Sequence, residues 1–125
     1  MAAHENLSEQ LSMFIPAREL MSYTAGHTEG YDDLYLTMNN SPQMYAKKLQ
    51  ESKKYGWNGN TSKDTLYQNI KKTGVKSPVS LRLKNLSGLP GPQINDGHHR
   101  IASAYDIDPN MEVPVHYLVD EQKGA

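Results

Sequence analysis

The sequence predicts a single small α+β domain, and three observations carry that expectation. Residues 79–83, Val-Ser-Leu-Arg-Leu, alternate apolar and polar, the period of a strand with one buried face. Ile101, Ala104 and Tyr105 recur at i, i+3, i+4, the period of a helix with one apolar face. Between such segments stand punctuating residues: Gly74, Gly97, and the two Gly and two Pro of 85–92. With 125 residues the chain is most simply one domain over 1–125, with 1–13 a polar lead-in and 120–125 a polar tail.

Taken in order, Leu7 and Leu11 at i, i+4 predict helix over 6–13, followed by a short strand at 14–16 and a short helix at 17–22. Two glycines make 24–30 a loop. Tyr31, Leu34, Tyr35 and Met38 then recur at helical spacing and predict a helix over 31–38. Ser41-Pro42 is a helix start, because serine caps and proline suits the first helical position. That helix runs to about Lys54 and ends near Gly56, burying Met44, Tyr45 and Leu49 and turning Lys47, Lys48, Lys53 and Lys54 outward. After a turn-rich break at 57–60, Thr61 or Ser62 caps the next helix with Asp64 in its first turn. Leu66, Tyr67 and Ile70 face inward, Lys71 and Lys72 stand near the C-terminal end, and Gly74 closes the helix. The strand at 79–83 connects through 85–92, hairpin-like, to a strand at 93–95. Beyond the helix that opens after Gly97, 106–110 is a turn and 113–119 the last strand, with Pro114 at an edge or strand-start position.

Composition narrows the function. The apolar share is 37%, with one Trp, one Phe and eight Tyr, lean for a globular domain but sufficient with polar ends. The chain has no cysteine, which excludes disulfides, thiolate metal sites and sulfur nucleophiles. No apolar run approaches the roughly 20 residues of a membrane span. The first residues lack the basic segment and apolar core of a secretory signal, so a cytoplasmic protein is expected. Net charge is −1 but segregated. Residues 1–46 hold one Arg and six acids, −5; 47–84 hold ten basic residues and two acids, +8; 85–125 hold two basic residues and six acids, −4. Such a basic middle either marks a polyanion-binding surface or spreads over solvated helix faces. Its aromatics, Tyr45, Tyr55, Trp57 and Tyr67, either stack on bases or belong to the core.

Chemistry concentrates in Gln93-Ile94-Asn95-Asp96-Gly97-His98-His99-Arg100, a strand, a turn and a helix start. The first amides of a helix have no intrahelical partner and the helix dipole makes that end positive. Gly97 permits the sharp turn and a close ligand approach, and Arg100 adds a planar donor fork suited to phosphate. The arrangement points to an anion site at Asp96, Gly97, His98, His99 and Arg100. The alternative is a plain corner in which Asp96 caps the helix. Adjacent histidines project about 100° apart, so they do not readily grip one metal ion, and no His-x3-His spacing is present. Imidazoles titrate near neutral pH, which fits His98 as a proton shuttle and His99 as a phosphate donor.

Asp96-Gly97-His98-His99-Arg100 followed by Ile101-Ala102 resembles the central motif of the ParB/sulfiredoxin-like fold, a small mixed sheet packed with helices. Leu66, Ile70, Gly74-Val75 and Pro78-Val79 resemble the family's preceding helix, closing glycine and strand. Residues 14–20 resemble its opening strand and short helix, and 113–118 its last strand. Together these cover about half the chain, with 21–60 an inserted helical segment. The resemblance implies a nucleotide (ATP, ADP or CTP) bound through its phosphates at 96–100, with Mg2+ as the metal ion beside it. It adds His27 and Glu29, in the loop after the first short helix, as candidates, Glu29 as a catalytic base. Sulfiredoxin chemistry is excluded because His98 stands where that family places cysteine. A chromosome-partition clamp is not expected, since no helix-turn-helix reader follows. For nuclease activity His98, His99, Asp96, His116 and His27 are the candidate ligands or bases. The function expected is therefore phosphate-ligand binding, of a nucleotide or nucleic acid, with hydrolysis, phosphotransfer or nuclease activity as its enzymatic forms. The alternative is a catalytically silent module of the phage or plasmid kind that binds a host protein in the host cytoplasm.

Overall fold

Among the described residues the chain forms four short strands and four helices, β1 (Met13–Pro16), α1 (Ala17–Leu20), α2 (Pro42–Lys54), α3 (Leu66–Thr73), β2 (Val79–Arg82), β3 (Gln93–Asp96), α4 (His98–Ile107) and β4 (Glu112–Leu118). They belong to a computed structural model that describes residues 13–26, 36–56, 64–83 and 91–118. The sheet is mixed, in the order β1-β4-β2-β3. β1 pairs antiparallel with β4, β4 parallel with β2, and β2 antiparallel with β3. Alternation sets its two faces: Ile15, Val79, Leu81, Val113 and Val115 are buried, while Phe14, Ser80, Pro114 and His116 between them are half-buried or exposed. The chain thus has the α+β architecture expected, with a small mixed sheet.

α4 is the helix around which the others gather; it contacts α1, α2, α3 and β2. Ile101, Ala102, Ser103 and Ala104 are all fully buried, so this helix has no solvated stripe along its middle. Small side chains at 102–104 are what let neighbouring helices approach on several sides. Ile101 alone contributes roughly 1.5–3 kcal/mol by leaving water. Met44 of α2, Leu66 and Ile70 of α3, Leu20 of α1 and the inward strand residues complete one cluster.

Local chemistry sets the helix ends. Ser41 caps α2 by accepting from Met44 N–H, and Pro42 occupies the first position, as expected. The cap of α3 is Thr65, not Thr61 or Ser62: Thr65 and Gln68 form a reciprocal capping box, which satisfies two donors where an earlier start would satisfy one. Asp64 therefore precedes the helix and pairs with Lys72 at 2.9 Å. Gly74, at φ 76°, closes α3. α4 runs two residues further than the 106–110 turn allowed, to Ile107, and the turn is closed by Met111 N–H on Asp108 O. Met38 lies in a turn and not in a helix, because Thr24 bridges to Thr37 and draws 36–37 into extended pairing. Met13 begins β1 rather than ending a helix. Of the proposed insertion, 36–56 contributes one helix, α2. The other expectations for 6–12, 27–35, 57–63, 84–90 and 119–125 lie outside the described residues. No helix among the described residues is long and apolar enough to cross a membrane.

Candidate functional site

The turn at Gly97 forms as the sequence implies. Gly97 stands at φ 118° and is the N-cap of α4. A Cβ there would meet Val79 Cγ2 at 2.7 Å, so both the backbone angle and the contact with β2 require glycine. The first bond of the α4 ladder runs from Ile101 N–H to Gly97 O, 3.0 Å, which leaves the amides of 98–100 without a carbonyl of their own helix.

The three side chains that follow do not converge. His98 is 3% exposed and turns toward the loop after α1, where Gly26 N–H donates to its Nε2 at 3.2 Å. That bond places the ring proton on Nδ1. Gly26 is itself constrained: a Cβ would lie 2.0 Å from Ile94 O, so only glycine lets this loop lie against β3. Ile94 N–H donates to Thr24 O and Gln93 Nε2 to Ala25 O, which extends the sheet edge by a further short pairing.

His99 points the other way, to α2. Its Nε2 lies 2.7 Å from Glu51 Oε1, with both side chains more than a third exposed. The hydrogen bond from His99 is the main cause that holds the Glu51 carboxyl below its ordinary range; partial burial opposes it, and Lys47 and Lys48 assist. Ser52, one residue on, is buried, with Oγ 2.9 Å from Lys48 O and 3.2 Å from His99 O; its single proton serves one carbonyl at a time. Glu51 and Ser52 together seat α2 on the first turn of α4.

Arg100 turns inward. It is 4% exposed and donates through Nη1 to Ser77 O at 3.0 Å and Pro78 O at 2.9 Å, and through Nη2 to Asp96 Oδ2 at 3.2 Å. Burial pulls the guanidinium below its ordinary value and Asp96 opposes that pull. Asp96 is mostly exposed and does not cap the helix. Arg100 also contributes to the wall of a cavity of about 220 Å³ beside α3, with Asp64, Asn69 and Lys76. Of the sequence-expected set, backbone and side chains thus part company: the turn is formed, while His98, His99 and Arg100 reach three different elements. His27 and Glu29 lie outside the described residues. His116 stands on β4, opposite Ser80 and on the outward face of the sheet, away from the helices. Among the described residues no three His, Asp or Glu side chains come together as a metal centre would need.

Two features were missed from sequence. Glu51 is one acid among the lysines that the sequence turns outward, and nothing local marks His99 as its partner. A shallow groove of about 290 Å³ lies on the same face, lined by Lys47, Gln50, Glu51, Lys54 and Tyr55. Of the aromatics in the basic segment, Tyr45 packs edge-on against Tyr105 and Tyr67 donates to Asp106 at 2.7 Å beneath Lys53, whereas Tyr55 is 57% exposed. Trp57 lies outside the described residues. No protein-family model, no curated protein and no solved structure matches this chain.

Proposed function

We propose that this chain is a ParB/sulfiredoxin-like domain that binds a phosphate-bearing ligand, a nucleotide or a nucleic-acid backbone, at the strand-to-helix turn 96–100. The fold part draws support from element order once α2 is set aside as the inserted helix: strand, short helix, helix closed by Gly74, strand, strand–Gly97–helix, strand. The site part is carried by one observation. The opening turn of α4 combines amides outside the helix ladder with a half-exposed imidazole, His99, set beside the lysine-bearing face of α2. Arg100 serves this site indirectly, by fixing Asp96 and the 77–78 backbone beside the turn. For hydrolysis, phosphotransfer or nuclease activity, the proton carrier in this reading is His99 oriented by Glu51; His98 is turned away and held by Gly26.

Titration calorimetry with ATP, ADP, CTP and a short oligonucleotide, each with and without Mg2+, tests the proposal. His99→Ala should weaken the ligand that binds by about 1.5 kcal/mol, roughly tenfold, the scale of a charge-assisted hydrogen bond. No binding by any of these, or binding indifferent to His99→Ala, would remove the turn as a phosphate site. A second reading, the silent protein-interaction module, draws on separate observations. His98 and Arg100 bond to the chain's own backbone, and Phe14 is 66% exposed on β1, the end strand of the sheet.

A further inference from the structure

We infer that the groove on the outer face of α2 takes single-stranded nucleic acid, with Tyr55 as a base-stacking platform and Lys47 and Lys54 as phosphate contacts. The inference rests on the phosphate-binding reading above and narrows its ligand to one class. Lys47, Gln50, Glu51 and Lys54 fall at i, i+3, i+4, i+7 and so share one helix face. The two lysines stand about 10.5 Å apart along the axis, a spacing that lets each take its own phosphate. Both are exposed, and the acid between them is engaged with His99, so the face is net positive. Tyr55 follows the last helical residue with extended backbone, φ −114° and ψ 151°, which swings it out of the helix register. Its carbonyl accepts from Leu66 N–H at 2.9 Å, anchoring the backbone to the start of α3 while the ring remains 57% exposed. Lys54 Nζ lies 5.5 Å from the ring centroid, which adds positive charge at the ring's face.

A duplex keeps its bases stacked inside and offers an exposed ring little; a single strand offers both phosphates and free π-faces. An acidic peptide would meet the lysines but gain nothing from the ring. The groove's lining includes Glu51, whose partner His99 stands on the opening turn of α4, so a strand lying in it passes beside that turn.

The experiment is fluorescence anisotropy of a labelled oligothymidylate of about 20 nucleotides against the full chain, with a duplex of equal length and polyglutamate as comparison probes. The single strand should bind more tightly than the duplex. Tyr55→Ala should weaken the single strand about tenfold and leave the duplex unchanged. Lys47→Ala with Lys54→Ala should reduce the slope of log affinity against log salt by about 1.4, two phosphates at roughly 0.7 each. Equal binding of both nucleic acids with a silent Tyr55→Ala, or polyglutamate competing as well as oligothymidylate, overturns the single-strand assignment and leaves the turn to be judged by His99→Ala. No binding by any nucleic acid overturns the groove outright. Circular dichroism of each variant establishes that the loss is not one of folding, and Tyr55→Phe, which keeps the ring, should bind as the parent does.

Discussion

Arg100→Ala separates a brace from a ligand contact. The guanidinium is 4% exposed and its Nη1 serves two carbonyls, Ser77 O and Pro78 O, at 3.0 and 2.9 Å. Hydrogen bonds from a charged donor contribute about 1.5–3 kcal/mol each. The upper values do not apply, because Ser77 is exposed and Pro78 half-buried, so water can reach these carbonyls once the side chain is gone. The pair with Asp96 adds less than about 1 kcal/mol, since that carboxylate is mostly solvated. The expected loss is therefore about 3 kcal/mol, a large share of the 5–15 kcal/mol typical of a domain. Urea denaturation followed by far-UV circular dichroism should show a lower midpoint with an unchanged slope, since the same surface is exposed on unfolding. His99→Ala, at a side chain 39% exposed, should cost under about 1 kcal/mol in the same assay. A loss below about 1 kcal/mol for Arg100→Ala would refute the brace and return the guanidinium to the candidate ligand contacts.

Gly97→Ala should destabilise by about 2–4 kcal/mol, from the left-handed φ of 118° and the 2.7 Å approach to Val79 Cγ2; Val79→Ala in the same chain should recover part of that, a non-additivity measurable by urea titration. Glu51 has a folded-state value below its unfolded one, so the stability it supplies is present above about pH 4.3 and is lost as pH falls through the lower folded value. Thermal midpoints from pH 5 down to pH 2.5 should therefore fall more steeply for the parent than for Glu51→Gln, and equal slopes would deny the His99 bond any part in acid stability.

The elements were legible where one local rule decided them. Ser41-Pro42 placed the start of α2, Gly74 the end of α3, and alternation the face of β2. The start of α3 was misplaced because several hydroxyl residues precede it, and only Thr65 has a glutamine three positions on to close the box. Residues 31–35 of the Tyr31–Met38 period lie outside the described residues, and at Met38 the period lost to a pairing between Thr24 and Thr37 that no local pattern announces. Gly97 was legible as a turn because its φ and its neighbour both demand glycine; Gly26 was not, since its reason is the carbonyl of Ile94, sixty-eight positions away. The same limit applies to the site. Which way His99 and Arg100 point depends on Glu51 and on the 77–78 carbonyls, and pairings between distant segments leave no mark in a single sequence.

The divergence of the three side chains follows from helix geometry. Consecutive residues on a helix project about 100° apart, so His98, His99 and Arg100 cannot share a target unless one or more bends back. α4 is packed on several sides, and each of the three side chains meets whatever lies in its direction: the loop over β3, α2, and the approach to β2. In the proposed reading an anion at the turn relies on the main chain and one imidazole, without the bidentate arginine that the sequence alone suggested. That is a modest set of donors for an isolated phosphate. Additional cations must come from another element, and α2, seated on the same turn by Glu51 and Ser52, carries them along a face that leads away from it. A ligand with a single cluster of phosphates uses one end of this arrangement. A strand with phosphates at regular intervals would use its whole length, which is the reason for proposing a polymer rather than a mononucleotide as the ligand.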